Sequence, residues 1–314
     1  MLNIDMEEVD LEKIYDLIVL GGGPTAIGCA IYAKRFAMDV LIIGKIFGGL
    51  IATTHVVENY PAISSISGQG LMEMFKEHMN SLNIPYISDE IRSIEKVDDY
   101  YELHSFFQNF KAYSICIATG SIRRKLGIPG EDKYAGKGVS YCATCDGPFY
   151  KDKIVCVIGG SDSAAKEALF LAQNTSKVYM IYRGEKIRAE PINKKRVLEN
   201  NKIEIIYQTN VVKILGEGKV KSIVFDNGEM LDLDGVFIEI GSIPNSDIAK
   251  RIGVEVNEKD EIKINRKSET NIPGIFAAGD VADAPFKQAI TGVAEGVIAA
   301  YSAFDFVKEM NIEY

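Results

Sequence analysis

The feature that most limits the fold of this chain is a short apolar strand that runs into a glycine-rich turn and then a helix. Residues 15–20 have the strand pattern, Gly21-x-Gly23-x-x-Ala26 the turn, and residues 26–36 the helical pattern. The next apolar strand is 40–43. In such a βαβ unit, the glycines bring the backbone close to a pyrophosphate at the helix N-terminus. The spacing therefore predicts a dinucleotide-binding unit with a right-handed crossover.

The same pattern returns 138 positions later, with Gly159 standing where Gly21 stands in the first copy (159 − 21). The second strand is 153–158, the turn runs from Gly159 to Ala164, and the helix covers 163–173. Strands alternating with helices favour parallel sheets covered on both faces. The duplication therefore predicts an α/β fold with two Rossmann-like three-layer domains.

Three further apolar strands indicate how the two domains are connected. The strand 114–120 lies between the two glycine turns, 235–241 closes the second unit, and 274–280 comes near the C-terminus. The chain therefore leaves the first domain, builds the second and returns. We expect the second domain to be inserted in the first: residues 1–121 with 246–314, and residues 122–245.

Composition and charge favour an ordinary globular protein. The net charge of −9 argues against nucleic acid as a partner and against a basic patch that binds membrane surfaces. The N-terminus is acidic and mixed, unlike a signal peptide. No apolar run approaches the roughly 20 residues that span a bilayer. We expect a cytoplasmic protein that binds neither nucleic acid nor membranes.

One pair among the five cysteines has meaningful spacing. Cys142 and Cys145 form a Cys-x-x-Cys motif just ahead of the second glycine turn. Cys29, Cys116 and Cys156 lie in apolar patterns and are interpreted as buried small residues. Because a structural zinc needs four ligands and the three histidines are scattered, only a zinc bridging two chains stays open as an alternative. The pair favours dithiol/disulfide chemistry with no metal.

Seven short motifs spread over nearly the whole chain resemble those of the low-molecular-weight thioredoxin reductases, which are flavoprotein pyridine nucleotide-disulfide oxidoreductases. The motifs are Gly21-Gly-Gly-Pro-Thr-Ala26, Glu58-Asn-Tyr-Pro61, Ala118-Thr-Gly120, Cys142-Ala-Thr-Cys-Asp146, Pro244-Asn245, Ala278-Gly-Asp280 and Gln288-Ala289. The resemblance implies FAD in the first domain and a nicotinamide dinucleotide in the second. It also implies a homodimer, with thioredoxin or a similar small dithiol protein as partner.

The resemblance further implies a set of FAD-binding residues. Asp280 would accept a hydrogen bond from the ribityl or ribose chain, although it could instead cap a helix. A helix beginning at Gln288 and Ala289 would point its positive end at the flavin. Gly44-Lys45 stands where the general fingerprint has an acid for the ribose. The implied set is Gly21, Gly23, Pro24, Thr25, Ala26, Gly49, Asn59, Ala118, Thr119, Gly120, Gly279, Asp280, Lys287, Gln288 and Ala289.

The resemblance also implies the catalytic roles. Cys145 would face the flavin, and Cys142 would attack the disulfide of the partner. Asp146 would donate and accept the proton of the thiol, although a turn residue before Gly147 is the alternative. Because one face of the pair cannot serve both the flavin and a protein, we expect the domains to rotate about crossings near 120–124 and 244–246.

The second glycine loop departs from the family pattern. Ser161 replaces the second glycine of the fingerprint, and Gly184 stands where the second of two adjacent arginines belongs. Glu239 replaces a small or apolar residue, and Glu185 could favour NADH by accepting from a 2′-hydroxyl. The donor is left open between NADPH, NADH and another reduced carrier. The expected site is Gly159, Gly160, Ser161, Ser163, Ala164, Arg183 and Arg188.

The sequence therefore predicts a flavoenzyme that passes two electrons from a reduced donor through FAD to the Cys142–Cys145 disulfide, and then to thioredoxin or a similar protein. Two alternatives stay open. One is an FAD-dependent dithiol oxidase that uses oxygen, which the weak second loop favours. The other is a flavin-binding redox sensor without turnover.

Overall fold

A computed structural model describes residues 9–310 of the chain. Strands and helices are numbered here in chain order. The chain divides into two compact units. Unit 1 contains the described residues up to Ala52, Val57–Ile122 and those from Ile243 onward, and unit 2 contains Thr53–Val56 and Arg123–Ser242. The first eight and last four residues, which the sequence assigns to the first domain, lie outside the described residues.

Unit 1 is built on a seven-stranded sheet in which the glycine turn connects a central strand to a helix. The strands are β1 (Ile14–Leu20), β2 (Val40–Ile43), β3 (Tyr86–Ile87), β4 (Ser93–Val97), β5 (Tyr100–His104), β6 (Asn109–Ile117) and β17 (Ile275–Ala277). The helices are α1 (Pro24–Arg35), α2 (Gly68–Ser81), α6 (Asp247–Arg251) and α7 (Ala289–Glu309).

The central strand of this sheet is buried on both faces. β1 pairs in parallel with β2 and β6, and β17 pairs in parallel with β6. Leu17 and Val19 belong to one hydrophobic core, which includes residues of α1 and α7, while Ile18 and Leu20 belong to another. Alternate side chains of a strand point to opposite faces. The sheet therefore lies between two cores, as a Rossmann-like domain requires.

Helix α7 qualifies a sequence expectation. It is long and apolar enough to cross a membrane by length and composition alone. It packs instead along α1, where a Cβ on Gly296 would overlap the carbonyl oxygen of Thr25. Ala299, Ala300 and Ala303 are fully buried in the same core. Close packing inside unit 1 therefore explains the small residues on the buried face of α7, while Ile298 and Tyr301 are exposed.

Unit 2 repeats the βαβ arrangement. A five-stranded parallel sheet has the order β11-β10-β9-β15-β8, and β12, β13 and β14 form a separate antiparallel sheet. The strands are β8 (Val139–Ser140), β9 (Ile154–Ile158), β10 (Lys177–Tyr182), β11 (Ile203–Tyr207), β12 (Val211–Glu217), β13 (Lys219–Phe225), β14 (Met230–Asp232) and β15 (Gly235–Ile238). The helices are α3 (Ala143–Asp146), α4 (Asp162–Asn174) and α5 (Pro191–Leu198).

The chain crosses between the units at β7 (Ser121–Arg123) and β16 (Ser242–Pro244), which pair as a two-stranded sheet. The units divide after Ile122 and after Ser242, against sequence-based boundaries after 121 and 245. The grouping of Thr53–Val56 with unit 2 was not predicted, because nothing in that stretch marks a boundary. The α/β class with two Rossmann-like domains is confirmed.

Several element bounds predicted from the sequence need correction. The strands predicted over 235–241 and 274–280 end earlier, at Ile238 in β15 and Ala277 in β17. The strand predicted over 114–120 is β6, which ends at Ile117, because Gly120 has a φ of +66° and the backbone turns away. The helix predicted from Ala26 begins at Pro24, a residue suited to the first helical position because its φ is fixed and its missing N–H leaves no unpaired donor.

Candidate active site

The first glycine turn holds the backbone of unit 1 in a shape that only glycine allows. Gly21 has a φ of +138°, and its N–H donates to the carbonyl oxygen of Ile43 at 2.8 Å. A Cβ on Gly21 would overlap the carbonyl oxygen of Ala118, which follows β6. The turn therefore brings β1 and the end of β6 into close approach.

The N-terminus of α1 is open to an anion. Its N-cap is Gly23, with extended φ and ψ, and no side chain caps the helix. Pro24 is the first helical residue, and the first turn carries no acid. No atom lies within 4 Å of the position that a Cβ on Gly23 would take. The free N–H groups and this clearance fit a dinucleotide pyrophosphate.

The other residues predicted for the FAD site lie around this turn. A Cβ on Gly49 would lie 3.3 Å from Gly23 Cα. Thr25 Oγ1 fills the space beside Gly279, where a Cβ would come within 2.6 Å of it. Ala26 is fully buried. Loops distant in sequence are therefore gathered at the N-terminus of α1.

A second group lies at the N-terminus of α7. Gln288 is the N-cap and forms a reciprocal capping box with Thr291, and Ala289 begins the helix as predicted. Asn59 Nδ2 donates to Gln288 Oε1 at 3.1 Å, which brings two predicted residues together. Thr119 Oγ1 donates to the carbonyl oxygen of Asn245 at 2.7 Å.

Acidic groups line the segment before α7. Asp280 is the second residue of a 3₁₀ helix, not its N-cap, and burial raises the pKa of its carboxyl. Lys287 Nζ donates to the carbonyl oxygen of Asp280 at 2.9 Å. Glu295, which the sequence analysis missed, accepts from Gly279 N–H at 2.8 Å, and burial raises its pKa. An isolated acid in an otherwise apolar helix was its only sequence signal.

The two cysteines of the motif form a disulfide in unit 2. Cys142 and Cys145 are joined across a Cα–Cα distance of 5.3 Å. Cys142 is the N-cap of the single-turn helix α3, and its Sγ accepts from Cys145 N–H at 3.1 Å. Cys145 is exposed, and Cys142 and Asp146 are half-buried. The exposed Cys145 makes this disulfide accessible to attack by a thiolate.

Asp146 ends the redox turn. Its N–H donates to the carbonyl oxygen of Cys142 at 3.1 Å, and it directly follows Cys145 of the disulfide. Its charge also reaches Tyr150, whose pKa is raised by burial and then by Asp146. The position suits a proton donor and acceptor for the thiols.

Three residues behind the disulfide were not predicted as a group. Glu167 on α4 accepts from Ala143 N–H at 3.2 Å. Arg123 forms an ion pair with Glu239, and its Nη2 lies 4.0 Å from Glu167 Oε1. Glu239, which stands in place of a small or apolar residue, has a buried carboxylate that is paired with Arg123. A pairing across more than 100 residues leaves no local sequence signal.

The second glycine loop has the required backbone but a crowded surface. A Cβ on Gly159 would overlap the carbonyl oxygen of Glu239, just as a Cβ on Gly21 would overlap that of Ala118. The ring of Tyr182 lies against both Gly160 and Gly184, where a Cβ would meet it. Gly184 therefore replaces an arginine where any side chain would displace this ring.

The N-terminus of α4 is capped by the chain itself. Ser161 is the N-cap, and its Oγ accepts from Ala164 N–H at 3.4 Å. Asp162 follows as the first helical residue and pairs with Lys166 at 2.9 Å, and its partners lower the pKa of its carboxyl despite burial. An ionised acid and a serine cap make this helix N-terminus a poorer phosphate site than that of α1.

The remaining residues expected for the nicotinamide site lie around this loop. Ala164 is fully buried, and Ser163 is exposed. Arg183 and Arg188 are exposed, and neither guanidinium forms an ion pair within the described residues. Arg188 N–H donates to the carbonyl oxygen of Gly160 at 2.6 Å, which holds the arginine segment against the loop. Two cations are thus available for an anionic group.

Comparison with known proteins gives consistent matches. Residues 15–296 match the pyridine nucleotide-disulphide oxidoreductase family. The chain is 38% identical to the thioredoxin reductase of Bacillus subtilis (strain 168) over 307 residues, covering 96% of this chain and 97% of that protein.

Solved structures agree with these matches. The thioredoxin reductase of Lactococcus lactis is 36% identical, with a TM-score of 0.90 over 94% of this chain and 99% of that one. A ferredoxin-flavin thioredoxin reductase from Clostridium acetobutylicum is 31% identical, with a TM-score of 0.54 over 96% of this chain and 100% of that one.

Proposed function

The chain belongs to the pyridine nucleotide-disulphide oxidoreductase family, among its thioredoxin reductases, and we propose that its Cys142–Cys145 couple is the site from which electrons reach thioredoxin. It is an oxidoreductase that uses FAD and acts on a disulfide. The observation that carries the proposed site is the exposed disulfide on α3, in a chain whose first glycine loop presents free N–H groups to a dinucleotide.

Residues of unit 1 would bind and orient the FAD. The N-terminus of α1 would hold its pyrophosphate, and Asp280 would hold a hydroxyl of the chain that links it to the ring. The N-terminus of α7, at Gln288, would direct positive charge to the ring system. When bound, FAD supplies two-electron transfer between a reduced donor and the disulfide.

The cysteines would then complete two exchange steps. In the reduced pair, the thiolate of one cysteine attacks the partner's disulfide, forming a mixed disulfide and releasing one partner thiolate. The second cysteine attacks the mixed disulfide, which releases the second partner thiol and restores Cys142–Cys145. Two electrons leave the pair, and Asp146 would move the protons. We assign the attack on the partner to Cys142.

The second glycine loop bears on the identity of the electron donor. A nicotinamide dinucleotide, usually NADPH in this family, would find Arg183 and Arg188 for its phosphates, but Ser161 and Asp162 at the helix N-terminus oppose it. The likeness to a ferredoxin-flavin enzyme makes a reduced ferredoxin a second candidate donor. We further propose that the protein is a cytoplasmic homodimer. Within each chain, unit 1 and unit 2 would rotate relative to each other during turnover.

The test is anaerobic mixing of the flavin-loaded enzyme with NADPH, NADH, a reduced deazaflavin or reduced ferredoxin in parallel. Flavin absorbance reports electron entry, and free thiols on added thioredoxin report electron exit. The proposal predicts bleaching by at least one donor, followed by two new thiols per thioredoxin. Peroxide formation from a small dithiol, without thioredoxin reduction, would favour the oxidase. The absence of both reactions would favour the redox sensor.

A further inference from the structure

The short helix that carries the disulfide is held from behind by one carboxyl group. Ala143 is fully buried directly after Cys142, and its N–H donates to Glu167 Oε1 at 3.2 Å. Gly147, which follows α3, also packs against α4: a Cβ on it would lie 3.1 Å from the side chains of Leu171 and Phe170. Helix α4 therefore supports the redox turn, and Glu167 makes its polar contact with that turn.

Glu167 lies beside the buried Glu239 and the partly buried Arg123. Its side chain is 14% exposed and that of Glu239 is 6% exposed. Arg123 reaches both, through the ion pair with Glu239 and at 4.0 Å from Glu167. Two carboxylates and one guanidinium would leave a net negative charge in a poorly solvated place, which is unfavourable. One carboxyl is therefore expected to keep its proton.

The contacts identify Glu167 as the protonated group. Its Oε2 is buried without a hydrogen-bond partner, whereas Glu239 holds the guanidinium. Burial, and then the charge of Glu239, raise the pKa of Glu167 to about 8. Helix α4 also packs against α3, which ends at Asp146, and its own start carries the Asp162–Lys166 ion pair. The ring of His55, whose pKa burial lowers, packs on Phe170.

We propose that Glu167 is a positioning residue for the Cys142–Cys145 couple, and that burial and the neighbouring Glu239 carboxylate, which pairs with Arg123, hold its carboxyl uncharged behind the redox turn. By fixing Ala143, it keeps the two sulfurs at the separation that the disulfide needs. By staying uncharged, it places no negative charge beside the thiolate that forms when two electrons enter the pair. The inference rests on the proposed function for the use of this couple.

The test compares Glu167→Gln, which keeps an oxygen acceptor for Ala143 N–H, with Glu167→Leu, which removes it. The flavin-loaded enzyme is equilibrated anaerobically with a series of dithiothreitol ratios, alkylated and digested with trypsin. The peptide of residues 138–151 contains Cys142 and Cys145 and no other cysteine, so its mass reports the couple alone. Glu204→Gln, an exposed carboxyl of the same unit, is the matched control.

We expect Glu167→Leu to shift the disulfide–dithiol equilibrium of the couple about tenfold toward the dithiol. The reason is that a looser turn lowers the effective concentration of one sulfur at the other. A tenfold shift is about 30 mV for a two-electron couple. Glu167→Gln and Glu204→Gln should stay within about twofold of wild type at pH 7. Wild-type behaviour of Glu167→Leu would overturn the positioning role. So would a shift in Glu167→Gln as large as that in Glu167→Leu.

A second readout follows the charge. Above pH 8, ionised Glu167 should oppose the thiolate, so wild type should become about threefold harder to reduce than Glu167→Gln between pH 7 and pH 9. Superimposable pH curves would overturn the uncharged state. Because neither readout uses thioredoxin, this inference can fail while the proposed function stands, and thioredoxin turnover can fail while the inference stands.

Discussion

The N-termini of α1 and α4 follow glycine turns of nearly the same backbone shape. Gly23 has φ −86° and ψ 179°, and Ser161 has φ −82° and ψ 177°. The first helix has no side-chain cap and no acid in its first turn, whereas the second has a serine cap followed by Asp162. A shared backbone is therefore not sufficient for a shared ligand, because the atoms at the helix N-terminus decide which anion can approach.

The contrast continues one turn into each helix. With the 138-residue offset, Glu167 in α4 corresponds to Cys29 in α1 (167 − 138). Cys29 is fully buried, and its pKa is raised by Cys116 and by burial, so α1 carries a neutral thiol. The corresponding position of α4 carries a carboxyl that contacts the redox turn. We therefore propose that the duplicated helix binds a dinucleotide in unit 1 and supports the redox turn in unit 2.

The largest expected effect comes from transferring the serine cap to the first loop. Gly23→Ser should fill the open space beside the helix N-terminus and occupy an N–H group that the pyrophosphate needs. We expect flavin affinity to fall about a hundredfold, or about 2.7 kcal/mol. Titration of the apoprotein with FAD, followed by flavin fluorescence, measures it. Unchanged affinity would mean that the open N-terminus of α1 does not bind the flavin dinucleotide.

Next in size is the pH dependence of stability that Glu167 introduces. Its carboxyl titrates near 4.5 when unfolded and near 8 when folded, so wild type loses stability as pH rises between these values. These two pKa values correspond to about 4 kcal/mol at pH 7.5. Because the buried carboxyl pair and its guanidinium can relax on ionisation, we expect about half of this: Glu167→Gln should be about 2 kcal/mol more stable at pH 7.5, with little difference at pH 4.5. Urea unfolding followed by circular dichroism tests this. A constant difference across the range would contradict it.

A smaller effect is expected from the two exposed arginines of the second loop. The double variant Arg183→Met/Arg188→Met should weaken NADPH binding about tenfold and NADH binding much less, because only NADPH carries the 2′-phosphate. The control is Lys195→Met, which removes an exposed cation from α5 of the same unit. Equal losses for both nucleotides in isothermal titration would argue against a 2′-phosphate site.

The smallest expected change is the reverse exchange at the second loop. Ser161→Gly should free Ala164 N–H and improve nicotinamide dinucleotide binding about fivefold, or about 1 kcal/mol. The gain is limited, because Asp162 and the ring of Tyr182 remain in place. Titration calorimetry with NADPH measures the change. Weaker binding would indicate that the Ser161 hydroxyl serves the nucleotide as a donor.

Much of this architecture could be predicted from the sequence, because local patterns carried it. Each apolar strand followed by a glycine turn and a helix gave one βαβ unit, and the Cys142–Cys145 spacing identified the redox pair. The set formed by Arg123, Glu167 and Glu239 could not be predicted, because partners more than 40 residues apart meet only after the strands are paired. The packing of Tyr182 on Gly160 was likewise invisible, since it depends on side-chain direction after β10.

The most direct test of the central claim is a single turnover with both sulfurs of the couple removed. The Cys142→Ser/Cys145→Ser enzyme is loaded with FAD, reduced anaerobically and mixed with oxidised thioredoxin, and the thiols formed on thioredoxin are counted. Wild type should form two thiols per electron pair, and the double variant none, although its flavin still accepts electrons. Thioredoxin reduction at the wild-type rate by the double variant would show that electrons reach the partner by another route.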